Sequence, residues 1–295
     1  MTLPGLTRAD DFKGLLWSLA GAALLAAGFT LAKYAMPGFE RGAFALTWQL
    51  AALAGASAAA LFSGSVRELR PPRHTLRWLL LLGVLSGVGL LLAWAGLREL
   101  DPAFNSFLWR FSPVLTMALG VLLLREVLSA EEAVAVGVMV LGGVLSTVEK
   151  GWHVVGRGVI FVLIACAFAA AQSLIAKTQA RRVRPTVMVF YRTLVAGVVV
   201  LAWALARGEL GVRAEVRHWA ALIAGALLGS CLGFLCLYRS YRHWELSHTA
   251  IVVAGQPLFA LPLVYVILDH QPNAVELGGG LIILLGAAWL AWVHR

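Results

Sequence analysis

A chain of 295 residues that is 60% hydrophobic and 13% charged, with a mean hydropathy of +0.83, is too apolar for a soluble domain, since such domains carry about 25% charged residues. The formal charge of +9 does not mark a nucleic-acid binder. The basic residues sit in short clusters between apolar runs, as the positive-inside rule asks of a membrane protein.

The first thirteen residues, MTLPGLTRADDFK, are polar and mixed in charge, and the sequence predicts no removable signal peptide. Ten apolar runs follow, at 14–34, 43–62, 78–97, 103–124, 132–148, 158–178, 187–206, 219–238, 248–268 and 275–293. Each approaches the ~20 residues that a helix needs to cross hydrocarbon. Helix-stopping signals stand between several of them: Pro37-Gly38, Pro71-Pro72, Asp101-Pro102, Pro185 and Pro272. No connecting segment is long enough for a soluble domain. The expected fold is an all-α integral membrane protein of ten transmembrane helices. Lys and Arg are more frequent in the N-terminal tail and the segments at 63–77, 125–131, 179–186 and 239–247 than in the alternate loops. That bias predicts an inner (plasma) membrane protein with both termini cytoplasmic.

The chain also repeats itself. A shift of 144 residues lays Lys33 on Lys177, Gly89 on Gly233, Trp94 on Tyr238, Arg98 on Arg242, Pro113 on Pro257, Glu132 on Glu276 and Gly142 on Gly286. Each half, 1–150 and 151–295, then holds five spans, an odd number, so the second copy enters the membrane upside down. Two inverted five-helix repeats are a transporter architecture, with the substrate near the midplane between them.

The run at 103–124 carries Arg110 and Pro113 inside the crossing. An arginine at bilayer depth costs roughly 2.5–3.5 kcal/mol on insertion scales, so it faces a cavity or another helix. Pro113 and Pro257 free backbone carbonyls and make the fourth and ninth spans the expected interrupted pair. Arg192 lies near the start of the seventh span, where a structural or interfacial role competes with ligand binding. Lys33 and Lys177, toward span ends, read first as snorkelling side chains. The sharper reading gives these cations a carboxylate or phosphate to hold. Asn105, Gln172 and Gln256 are intramembrane amides, and Trp109 shares a helix face with Asn105. Trp94 and Tyr238 either wall a cavity or join the interfacial belt of Trp78, Trp203, Trp219, Trp289 and Trp292. Ser86, Ser106, Ser112, Thr116, Ser173 and Ser230 read as contacts between helices, and Gly83, Gly87, Gly89, Gly225, Gly229 and Gly233 as points of close approach. Cys166, Cys231 and Cys236 read as small packing residues.

The acids all fall in tails, loops or outer turns, which disfavours a pump for organic cations. Glu132 and Glu276, a symmetric pair, read as stabilisers of helix N-termini. Metal-ligand spacing, a nucleophile constellation and a nucleotide fingerprint are all missing from the sequence. No cofactor, direct ATP drive or enzyme chemistry is expected.

The stretch RFSPVLTMALGVLLLREVLS, 110–129, resembles the signature of EamA-type permeases in the drug/metabolite transporter superfamily. There a proline in the fourth span precedes an apolar run and a Glu near the cytoplasmic end; Pro113 and Glu126 stand at those places. GQPLFALPLVYVILDH, 255–270, is similar but ends in Asp269-His270. VFYRTLVAGVVV, 189–200, resembles the Arg-bearing start of that family's seventh span, and Trp48 stands in the first half where many relatives carry Arg. The resemblance implies ten spans in two five-span halves. Its members are mostly exporters of amino acids, metabolites or drugs, and related branches exchange sugar phosphates or nucleotide sugars. With the basic, amide-bearing candidates, the expectation is an alternating-access exporter of amino acids or related carboxylate-bearing solutes. Its partners are a small-molecule substrate and the lipid bilayer. A phosphorylated-solute exchanger using Lys33 and Lys177, a lipid flippase and, from another class, an intramembrane enzyme or a structural subunit are the alternatives. Nothing in the sequence sets an oligomeric state.

Overall fold

The computed structural model describes residues 8–99, 108–109, 111–127, 129–131, 133–134, 137–138, 141, 156–268, 278 and 282. Their helices are α1 (Arg8–Ala35), α2 (Arg41–Phe62), α3 (Arg73–Glu99), α4 (Phe111–Leu124), α5 (Arg157–Gln179), α6 (Pro185–Arg207), α7 (Val216–His243), α8 (Leu246–Ala254) and α9 (Gln256–Leu268). Six of them, α1, α2, α3, α5, α6 and α7, are long and apolar enough to cross a membrane. Local chemistry sets the ends. Pro185 opens α6 at the position where its missing N–H costs nothing. Glu215 and His218 form a reciprocal capping box at the head of α7.

The run at 248–268 is divided into α8 and α9 at Gly255. In the run at 103–124, Trp109 lies in a turn and α4 starts at Phe111. The expected interruption beside Pro257 is therefore present, while 103–107 and Arg110 of the fourth run lie outside the described residues. The spans expected at 132–148 and 275–293 lie largely outside the described residues.

Among the described helices, several contacts recur when the two halves are exchanged. α1 packs along α7 as α3 packs along α5, and α4 lies on α5 as α9 lies on α1. The repeat-related helices α2 and α6 lie against each other and run antiparallel. At one end Ala43 N–H donates to Glu209 O (3.0 Å) and Glu40 N–H to Gly211 O (2.9 Å). At the other, Thr186 bonds Ser65 (3.0 Å) and Arg184 pairs with Glu68 (2.9 Å). Gly64 and Gly208, 144 residues apart, follow α2 and α6 with nearly equal left-handed torsions, φ 66 and 67.

No atom lies within 4 Å of where a Cβ would stand at either glycine. Gly64→Ala and Gly208→Ala are each expected to cost about 1 kcal/mol through the backbone alone. Denaturant titration in detergent should show two equal, modest losses.

Elsewhere the bundle depends on glycine for proximity. A Cβ on Gly28 would stand 2.6 Å from the Cα of Gly229, so α1 and α7 touch backbone to backbone. Gly87 sits against Val199 and Ala196 in the same manner, between α3 and α6. The three cysteines are buried free thiols, as their apolar surroundings predict.

Candidate functional site

Arg192 lies seven residues into α6, roughly 10 Å along its axis, and is only 6% exposed. Its Nε donates to Gln172 Oε1 on α5 (3.4 Å), and its Nη1 donates to the Ser230 carbonyl on α7 (3.3 Å). The guanidinium carbon stands 3.4 Å above the ring centroid of Phe234. Two long hydrogen bonds and one aromatic face hold a group with five N–H donors. Among the described residues no carboxylate pairs with it.

Ser230 is the meeting point. Its hydroxyl accepts from the indole N–H of Trp48 (2.8 Å) while its carbonyl accepts from Arg192. Trp48 and Arg192 are 144 residues apart, so equivalent positions of the two halves converge on one residue. Ser230 belongs to a π-helical stretch, Ala226–Gly233, inside α7. The equivalent stretch of α3, 82–89, is ordinary α-helix. The 144-residue offset holds on both sides, so no added residue produces the wider winding. Such turns are frequent at functional sites because they displace carbonyls from the regular ladder.

Among the described residues, two buried oxygens on the same helices as Ser230 and Trp48 have no hydrogen-bond partner: Tyr238 Oη and Gln49 Oε1. Tyr238 is one turn beyond Phe234, ring centroids 5.8 Å apart, and Gln49 follows Trp48. Leaving such a group unsatisfied costs about 1–3 kcal/mol.

Of the residues singled out from sequence, Arg192 and Gln172 touch directly, and Tyr238 joins them through Phe234. Trp94 is half-buried and reaches Trp48 through Phe44, at centroid distances of 5.2 and 5.6 Å. Trp109 is half-buried against Leu108, Val162 and Cys166. Gln256 is half-buried at the head of α9. Asn105 and Arg110 lie outside the described residues. The two repeat-related lysines have unlike surroundings. Lys33 is exposed, whereas Lys177 Nζ donates to the carbonyls of Tyr241 (3.1 Å) and Trp244. Lys177 thereby caps the last turn of α7. Sequence reasoning assigned no role to Phe234 or Gln49, and Ser230 was expected only to join helices. The one signal for this convergence is Trp48 at the repeat position of Arg192. No group of acids, histidines and cysteines suited to a metal occurs among the described residues.

A helical bundle with six membrane-length apolar spans indicates a multi-pass membrane protein. The chain belongs to the EamA-like transporter family, whose model matches it twice, over residues 12–148 and 156–292. The second match begins and ends 144 residues after the first, the offset of the internal repeat. No curated protein matches the chain. One solved crystal structure, described only as that of a protein, is similar over 97% of this chain and 98% of its own, with a TM-score of 0.81 and 18% identity. At that identity the likeness speaks for the fold alone.

Proposed function

We propose that this transporter carries small carboxylate-bearing metabolites, amino acids among them, out of the cell by alternating access. The carrying observation is Arg192: a buried cation held by long, neutral contacts, with no acid paired to it among the described residues. A substrate carboxylate would exchange the Gln172 and Ser230 contacts for two parallel charge-assisted hydrogen bonds, which are shorter and stronger. Tyr238, Trp94, Trp109 and Gln256, with Asn105 and Arg110, complete the proposed substrate path between halves 1–150 and 151–295. The antiparallel α2–α6 pair supports ten transmembrane helices in two inverted repeats. The basic loops support an inner-membrane orientation with both termini cytoplasmic. The unlike surroundings of Lys33, exposed, and Lys177, bonded to carbonyls, favour the carboxylate reading over a phosphorylated-solute exchanger built on a symmetric lysine pair.

Purified protein in liposomes loaded with labelled amino acids and simple carboxylates is expected to release them faster than empty liposomes do. It is expected to leave quaternary ammonium compounds inside. Efflux of the ammonium compounds with none of the carboxylates would overturn the reading.

A further inference from the structure

Glu126 is 9% exposed and reaches from the first half into the second. Its carboxylate accepts from the backbone N–H of Leu246 (2.7 Å) and of Ser247 (2.9 Å), and from the Ser247 hydroxyl (2.5 Å). It thus occupies the N-terminus of α8, where the free N–H groups and the helix dipole favour a negative charge. The chain is shaped to deliver it there. Arg125 adopts a left-handed conformation, φ 57, and Glu126 N–H turns back to the Gly120 carbonyl (3.2 Å). Gly120 leaves the space: a Cβ there would meet Glu126 Oε2 at 2.5 Å and Ser247 Oγ at 2.8 Å.

The element so held is short, and it packs on α4 and α1. α8 has nine residues and is separated from α9 at Gly255. The loop contacts that join α2 and α6 occur at both ends of the bundle, and so describe a fixed axis. The Glu126 contact has no such twin in the sequence: its position in the second half is filled by His270, and the position of Arg125 by Asp269. We infer that Glu126 is a removable clasp between the halves, which keeps this end of the bundle shut and parts from the head of α8 when this end opens. Lys177, bonded to the last carbonyls of α7, brings α5 into the same corner.

The test needs no substrate, so its failure would leave the carboxylate reading standing, and failure of that reading would leave the clasp standing. Spin labels are placed at Leu123 on α4 and Arg242 on α7, both exposed while the native cysteines are buried. Their separation is measured in liposomes by pulsed electron resonance. The parent protein should give one main distance. Glu126→Gln should move at least half of the population to a longer one. Gly120→Ala, which displaces the carboxylate without removing it, should do the same, and Ser247→Ala should give a smaller shift. Glu40→Gln, at the opposite end, should give the parent distribution. Parent-like distributions in whichever of the three clasp variants fold, or an equal shift in Glu40→Gln, would overturn the proposal.

Discussion

Arg192→Ala is expected to slow carboxylate efflux from proteoliposomes at least tenfold. Truncating one partner of a buried, hydrogen-bonded charge pair costs 2–5 kcal/mol or more, and every 1.4 kcal/mol is a factor of ten. The guanidinium supplies both the charge and the planar fork for a carboxylate, and the Phe234 face fixes its plane. Arg192→Lys keeps the charge but loses the fork and the ring stack, and should fall between the two. Thermal unfolding in detergent separates this effect from misfolding. The native contacts of Arg192 are long and to neutral groups, so the melting temperature should move far less than the efflux rate. Parent-rate efflux by correctly inserted Arg192→Ala would refute the binding role.

The second large effect belongs to Gly28. A methyl group there would press on the Gly229 backbone, with the Gly225 carbonyl and Gly229 nitrogen 2.9 Å away. Backbone cannot rotate aside as a side chain does, so Gly28→Ala should cost about 1–3 kcal/mol. Gly28→Leu should leave little folded protein. Gly197 is the internal contrast. A Cβ there meets only Gln49 Cβ, at 3.9 Å, which is ordinary contact. Gly197→Ala should be neutral or stabilising, because alanine is favoured in a helix by about 1 kcal/mol. Melting temperatures of the two alanine variants in one detergent decide the matter; equal values would refute the close-contact argument.

Six spans and the repeat were legible because they rest on apolar length and on residues recurring at one offset, such as Lys33 with Lys177 and Pro113 with Pro257. The site was only half legible. Gln172 and Arg192 stood out as polar groups in apolar runs, but sequence placed the arginine close to an interface. The observed helix begins at Pro185 and carries it deeper, onto Phe234 and Ser230. Nothing local distinguishes Lys33 from Lys177. What separates them is that the end of α7 arrives beside only one of them. Stacking of Phe234 under a guanidinium and the stranded oxygen of Gln49 depend on partners far away in the chain. Glu126 was marked by resemblance, yet its partners, some 120 residues downstream, appear only when α8 is in place.

The broader winding of α7 across Ala226–Gly233 gives the duplicated chain a handed interior. Beyond it, side chains emerge at an azimuth different from that of their counterparts on α3, although the two stretches agree in length residue for residue. Two sequences of common pattern therefore point their side chains differently, and, if the proposed path runs between them, a solute would meet a different order of groups from each face of the membrane.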